Sequence, residues 1–273
     1  MLPLDPSSYG ALPGIGMQGI MDLMLQFFTV SLRIGAFLLA APFFGSRMVP
    51  LPIRIVFTMA LTLFIFQLVP YPDLEVMTST RAIGIIWQEI SLGLSAGLVL
   101  TILFSAATIA GEQIATTAGL SFAAQVDPNT GASSPVLAQI FMLFLTTLFL
   151  SVNGHLVALN IIISSYQLIP IGAPIAFSVL VQTGIDAVGV MFAKGAILML
   201  PVSGILLMVN IAIGAITKSA PQLSLFSFGF PLTLMTSFVL VYLYVYPLAA
   251  AMQDMLDSTL QIMDVMLQGA ANG

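Results

Sequence analysis

Apolar residues fill most of this chain in long runs, and polar residues are concentrated in the short stretches between the runs. About 20 apolar residues are enough for a helix that crosses a bilayer. The first and second runs are near that length, whereas the third, fourth and sixth, at about 28 to 39 residues, are too long for a plain crossing. The runs that predict helices are at about residues 20–44, 53–70, 83–110, 135–168, 187–216 and 229–267.

The excess length of these runs has two explanations, which the pattern alone leaves open. Kinks or hairpins interrupt the helices, or the helices pack against other subunits rather than mainly against lipid. Glycine, proline and the Asn-Gly pair predict local bends inside the runs. The residues concerned are Gly93, Gly97, Gly111, Asn153, Gly154, Pro201, Gly204, Pro231 and Pro247.

The last run ends as an amphipathic helix. Its polar residues recur at alternating spacings of three and four, which places them on one side of a helix. This stripe consists of Asp254, Asp257, Gln261, Asp264 and Gln268. Methionine and leucine residues cover the other side, from Met252 to Leu267. The pattern predicts a helix that protrudes into water or the lipid headgroups.

Composition places the chain among integral membrane proteins, because 59% of its residues are hydrophobic and only 6% are charged. Soluble domains are about a quarter charged. Six lysines and arginines are too few for a nucleic-acid-binding surface. The chain has no cysteine and a single histidine, His155, which excludes thiolate sites and metal centres built on several histidines within one chain. We therefore predict no cofactor and no metal.

Several charged residues lie within or at the ends of the apolar runs. An ion in the membrane costs about 2.5–3.5 kcal/mol on insertion scales, so each needs a partner or water. These charges are Arg33, Glu89, Glu112, Asp186 and Lys194. One interpretation is an ion or proton relay. The interpretation that we favour is that each charge pairs with an acid or a carbonyl on a neighbouring helix or subunit, because Glu89 and Glu112 lack helical spacing.

A stretch rich in small residues, from Gly111 to Pro135, separates the third and fourth runs. Unsatisfied backbone groups cost several kcal/mol each in hydrocarbon, so such a loop must lie against protein or line a watery cavity. Ser121 in this stretch, with His155 as its base, is conceivable as an intramembrane serine protease site. The incomplete glycine pattern around Ser121 argues against that enzyme, and we predict a non-catalytic protein.

Several strings, in their order and spacing, are similar to the FliR family, whose type III secretion counterpart is the SctT family. The first is Arg33-Ile-Gly-Ala-Phe, followed by Pro42, Gly45, Pro50 and Arg54. The others are Gln88-Glu89-Ile-Ser-Leu-Gly93, Gly119-Leu-Ser-Phe-Ala with Asp127-Pro128 and Gly131, Asn153-Gly154-His155, Leu168-Ile-Pro-Ile-Gly172, and Pro221-Gln222 with Gly229 and Pro231. Ser224 and Lys218 depart mildly from the family pattern. The strings favour the flagellar branch and extend from about residue 25 to 240.

The resemblance implies an all-α membrane protein with a FliP-like part at about 1–180 and a FliQ-like helical hairpin at about 181–273. Such proteins join FliP- and FliQ-like subunits in a helical assembly around a narrow pore in the bacterial inner membrane, at the flagellar basal body. FlhB- and FlhA-like proteins are further partners, and unfolded flagellar proteins are the exported substrates. A virulence-type SctT subunit is the alternative within the family. A stand-alone transporter that uses Arg33, Glu89 and Glu112 is the alternative outside it.

The resemblance further implies that the loop at about 111–126 plugs the closed pore, with Asp127 and Pro128 at its end. Glycine and alanine allow tight folding of a plug, and Leu120 and Phe122 supply bulk that blocks solutes. Threonine and serine hydroxyls satisfy neighbouring backbone groups. The plug residues expected on this basis are Gly111, Ala115, Thr116, Thr117, Gly119, Leu120, Ser121 and Phe122. Arg33, Arg54, Glu89, Glu112 and Lys194 are expected as buried or interface charges.

Overall fold

All elements in the described part of the chain are helices, and they follow the apolar runs closely. The structure is a computed structural model that describes residues 17–45, 49–69, 71, 74–77, 79–120, 136–220 and 228–272. In chain order the helices are α1 (Met17–Ala40), α2 (Leu51–Ile65), α3 (Leu74–Met77), α4 (Arg81–Thr117), α5 (Val136–Ser151), α6 (Gly154–Leu168), α7 (Phe177–Ser219), α8 (Phe230–Leu243) and α9 (Val245–Ala271).

Three of these helices are long and apolar enough to cross a membrane: Gly19–Ala40 in α1, then α4 and α7. If α5 with α6, and α8 with α9, are each counted as one bent span, the described residues hold up to five. The sequence predicted about six, and the difference is α2, which at 15 residues is short for a crossing. The predicted all-α membrane fold is confirmed.

The predicted bends are confirmed in two runs, and the helices of two other runs are unbroken. The fourth run breaks by 66° between α5 and α6, at Asn153, which has a positive φ of 56°. The sixth run breaks by 65° between α8 and α9, close to Pro247. In contrast, α4 is one continuous helix through Gly93, Gly97 and Gly111, and α7 continues through Pro201 for a total of 43 residues.

The start of the predicted plug loop is also corrected. Residues 111–117 belong to the last two turns of α4, so the loop begins only after Thr117. The reason is that Gly111, Ile114 and Ala115 bury one side of a helix, which the small-residue composition alone did not indicate. Ser121 and Phe122, like Asp127 and Pro128, lie outside the described residues.

The chain forms two compact units. The first comprises Met1–Leu98, Asn160–Leu180 and Met266–Gly273, and the second comprises Val99–Leu159 and Val181–Val265. In the first unit, Ile34, Phe37 and Leu38 of α1 are buried. In the second, Leu103 and Phe104 of α4 are buried with Phe141 and Phe149 of α5. The division at about residue 180 rests on the resemblance and stays a prediction.

The amphipathic character predicted for the end of the chain is confirmed in α9. Asp254, Asp257, Gln261 and Gln268 are exposed, while Asp264 is half-buried. On the opposite side the methionine and leucine residues are buried, at Met252, Met255, Leu256, Met263, Met266 and Leu267. The helix therefore has one face in the protein and one polar face on its surface.

Candidate functional site

A buried ion pair lies at the centre of the first unit. Arg33 of α1 and Glu89 of α4 form a bidentate pair, with Nε 2.8 Å from Oε2 and Nη2 2.9 Å from Oε1. Both side chains are completely buried. Parallel guanidinium–carboxylate bonds of this kind are among the strongest that side chains make. Arg33 therefore has its partner within the chain, on a neighbouring helix, which is one of the arrangements that the sequence predicted.

Two further N–H groups of Arg33 are also hydrogen-bonded. Nη1 donates to the hydroxyl of Ser165 at 2.9 Å, and Nη2 donates to the carbonyl oxygen of Ile169 at 3.0 Å. The guanidinium carbon lies 4.2 Å from the ring centroid of Tyr166, whose hydroxyl donates to the carbonyl of Val30 at 2.6 Å. A buried charge is tolerated when its hydrogen-bonding capacity is filled in this way. The cluster thus joins α1, α4 and α6.

Two glycines of α4 let α1 approach closely beside this ion pair. A methyl group at Gly93 would overlap the carbonyl oxygen of Arg33 and would lie 2.9 Å from its carbonyl carbon. A methyl group at Gly97 would lie 2.6 Å from Cβ of Ala40. Small residues at helix contacts allow such backbone approach in membrane proteins. These glycines therefore act as packing positions within an unbroken helix.

The first residues of the predicted plug loop are helical and tightly packed. Gly111 faces α5, where a methyl group would lie 2.5 Å from Cα of Ala138. Ala115 is buried, whereas Thr116 and Thr117 donate their hydroxyls to the carbonyls of Glu112 and Gln113 at 2.9 and 2.8 Å. This stretch is thus a fixed part of the second unit.

The end of α4 is held by residues that the sequence analysis missed. Asn210 of α7 donates to the carbonyl of Thr117 at 2.9 Å, and Thr233 of α8 donates to the carbonyl of Ala118 at 2.9 Å. Gly119 follows with φ +84°, and the ring of Phe230 occupies the space where a side chain at Gly119 would be. Polar residues inside apolar helices were the available signal, but only the charged ones were singled out.

The other charges selected from the sequence lie nearer the surface. Lys194 of α7 pairs with Asp254 of α9 at 2.6 Å and contacts the Ser258 hydroxyl at 3.3 Å. Arg54 is half-buried and donates to the carbonyl of Val49 at 3.0 Å, while Glu112 is exposed on this chain. Of the five charges, only Arg33 and Glu89 are fully buried.

Within the described residues, no group of three or more acidic or histidine side chains is placed to hold a metal ion.

The family-like motif residues mark the ends of helices. Pro42 and Gly45 lie in the turn after α1, and Pro50 caps the start of α2. Gly154 begins α6 and packs against the ring of Phe149. The ring of His155 meets the same ring edge-on, with the two ring centroids 6.4 Å apart. Gly229 precedes α8 and Pro231 lies in its first turn, where a missing N–H has no consequence. Pro221 and Gln222 lie outside the described residues.

Comparison with known proteins identifies the family. The family model described as bacterial export proteins, family 1, matches residues 24–259. The chain is 36% identical over 212 residues to the flagellar biosynthetic protein FliR of Escherichia coli (strain K12), covering 76% of this chain and 79% of that protein. It is 30% identical over 254 residues to FliR of Bacillus subtilis (strain 168), covering 90% of this chain and 96% of that protein. The chain belongs to this export-protein family.

Membership of the bacterial export proteins confirms the family recognised in the sequence. The relatives are named flagellar biosynthetic proteins, as is a third from Aquifex aeolicus (strain VF5), 26% identical over 249 residues and 91% of this chain. The chain is therefore a membrane-embedded component of the flagellar export apparatus. The matched range includes the Arg33–Glu89 cluster, the end of α4 and the Lys194–Asp254 pair.

Replacing Lys194 by methionine is expected to cost less than about 1 kcal/mol of stability. The side chain of Asp254 is 71% exposed, so water screens the pair and still solvates the carboxylate after the lysine is lost. Thermal unfolding of the purified protein measures the effect, and Asp257→Asn on the same polar stripe is the control. A loss as large as that of a buried pair would contradict the exposed position of Asp254.

Proposed function

We propose that this chain is a non-catalytic subunit of the flagellar type III protein export gate, located in the bacterial inner membrane. With FliP- and FliQ-like subunits it would surround a narrow pore through which unfolded flagellar proteins leave the cell. FlhB- and FlhA-like proteins would be its further partners. The names and family of its relatives support a place in the export apparatus, and the dimensions of α7 support the packing against other subunits.

The observation that carries the proposal is the length of α7 together with its surface. At 1.5 Å per residue, 43 residues extend about 64 Å, and even a tilt of 40° leaves about 49 Å along the membrane normal. The hydrocarbon core is about 30 Å thick. Yet Val181 and Ile185 near the start of α7, and Ile211 and Ile216 near its end, are all exposed. Lipid cannot cover both ends at once, so neighbouring protein subunits are the natural cover.

The stand-alone transporter is disfavoured by the contacts of its proposed coupling charges. Arg33 and Glu89 are fully buried and bonded to each other, and two further guanidinium N–H groups donate to Ser165 and Ile169. A transported cation would find no unpaired carboxylate there, because the guanidinium only donates and each oxygen of Glu89 already accepts from it. The pair instead resembles a fixed structural contact.

The plug is tested by replacing residues 121–126 with a Gly-Ser sequence of equal length. This change spares α4, whose buried residues a deletion starting at 111 would remove. We expect the membrane to become leaky to small solutes, because the apolar Phe122 and Val126 are lost from the seal. The matched control replaces residues 130–134 of the same connection. If permeability and export are both unchanged by the 121–126 replacement, the plug assignment is wrong.

The subunit role is tested separately by purification from membranes. A tagged chain is expected to co-purify with FliP- and FliQ-like proteins, and the isolated chain in liposomes is expected to move no solute. Transport of a solute by the chain alone would instead support the transporter.

A further inference from the structure

The last turn of α4 has an unusual set of hydrogen bonds. The final four carbonyl groups of a helix have no partner within the helix, and in a membrane each unsatisfied group is costly. Here the carbonyls of Thr117 and Ala118 receive donors from two other helices. The Asn210 amide reaches the first and the Thr233 hydroxyl reaches the second, each at 2.9 Å. Neither bond is a local cap.

Thr233 differs from most threonines in the described helices. A helical threonine commonly donates to a carbonyl three or four residues earlier in its own helix. Thr236 of α8 does so, donating to Leu232 at 2.7 Å. The Thr233 hydroxyl has the same option at the carbonyl of Phe230, but that oxygen is 3.1 Å away, farther than the carbonyl of Ala118. Thr233 is also buried, and the carbonyl of Ala118 is the nearer of the two acceptors of its hydroxyl.

Gly119 provides a third, independent contact at the same place. Its φ of +84° belongs to a region that other residues rarely adopt. A methyl group there would lie 2.5 Å from Cδ1 of Phe230. The N–H of Gly119 donates to the carbonyl of Thr116 at 3.0 Å, which closes the helix in the manner of a C-terminal glycine cap. The ring of Phe230 thus covers the cap on its open side.

We propose that Asn210, Thr233 and Phe230 form a clamp that fixes the point where the chain leaves α4. The clamp would thereby position the residues that follow, which are the plug in the proposed function, and this inference rests on that function. Unwinding of one helical turn lengthens the attachment of the following segment by several ångströms. A clamp on the last turn prevents this and holds the plug in register with the pore. These are positioning residues, since they act through the end of α4.

The clamp is tested with a label at its exit. The chain contains no cysteine, so Leu120→Cys gives a single attachment site for a nitroxide, read by electron paramagnetic resonance in the purified complex. Thr233→Val and Asn210→Leu each remove one donor at nearly constant shape. Each change is expected to raise the mobile fraction of the label about fivefold, the ratio that corresponds to a hydrogen bond of about 1 kcal/mol. The double variant should raise the mobile fraction more than either single variant, and membranes that contain it should leak small solutes.

Three further variants serve as controls. Thr236→Val removes a hydroxyl that bonds within α8, and Asn160→Leu removes an exposed amide elsewhere, so both should leave the label spectrum unchanged. Thr233→Ser keeps the hydroxyl and should restore the parent spectrum, which separates the hydrogen bond from general loss of folding.

The outcomes distinguish the clamp from the plug. An unchanged spectrum in both Thr233→Val and Asn210→Leu overturns the clamp, even if replacing residues 121–126 makes the membrane leaky. A mobile label without any leak in the double variant, beside a leaky 121–126 replacement, overturns the positioning role and leaves the plug standing. If the 121–126 replacement itself does not leak, the plug and its positioning both fail, and the label still reports whether the clamp bonds exist.

Discussion

Replacing Arg33 by methionine is expected to destabilise the protein by about 3–5 kcal/mol, the cost of leaving one partner of a buried ion pair uncompensated. Glu89 would remain in a fully buried position with both of its guanidinium bonds lost. Ser165 and Ile169 would lose their donors from Arg33 as well. The measurements are the amount of folded protein in membranes and the thermal unfolding of the purified complex.

The control is the double variant Arg33→Met/Glu89→Met, which replaces both charges with apolar side chains of similar length. Replacement of a whole buried pair is often close to neutral. We therefore expect the double variant to recover much of the stability that Arg33→Met loses. If Arg33→Met gave a normal amount of folded complex but abolished export, a structural role would be contradicted. That result would support the ion or proton relay instead.

Replacing Gly93 by alanine is expected to be the second most damaging change, at about 3 kcal/mol. Overpacking ordinarily costs about 1–3 kcal/mol, and the upper end applies because the added methyl group would overlap backbone, which cannot rotate away. Relief requires α1 and α4 to separate at the carbonyl of Arg33, the residue that forms the ion pair. The variant should therefore lose both close packing and hydrogen-bond geometry. Thermal unfolding is the measurement.

Gly84→Ala on the same helix is the matched control. Apart from the backbone of α4 itself, no atom lies within 4 Å of the methyl group that it would add. Alanine favours a helix over glycine by about 1 kcal/mol, so this variant should be as stable as the parent or slightly more stable. Equal losses in Gly93→Ala and Gly84→Ala would mean that the backbones of α1 and α4 are not in close approach at Gly93.

The sequence predicted the helices well because long apolar runs have one solution in a membrane. It also located the break at Asn153 and Gly154, since both residue types tolerate backbone conformations that end a helix. It could not tell bending glycines from packing glycines. Gly93 and Gly111 are required by the backbone of another helix, at Arg33 and Ala138, and local sequence contains no information about such neighbours.

The candidate site was predictable in kind but not in detail. Because a charge in hydrocarbon has a high free-energy cost, we could predict that Arg33 has a partner. The identity of the partners was not predictable, since Glu89 lies 56 positions away and Ser165 lies 132 away. Periodicity within one helix does not relate residues at that distance. Asn210 and Thr233 went unnoticed for a similar reason, because their importance comes from the end of α4 and not from their own surroundings in the chain.

The Arg33–Glu89 pair also has a consequence for the order in which the helices are synthesised and inserted. A ribosome adds about 5–20 residues per second, so the 56 positions between the two residues correspond to about 3 to 11 seconds of synthesis. Throughout that delay Glu89 is not available to the guanidinium, and the unpaired charge would add about 3 kcal/mol to the free energy of inserting α1 into lipid. Inserting α1 and α4 together would avoid this cost, because the paired charges would then enter the bilayer as a neutral unit.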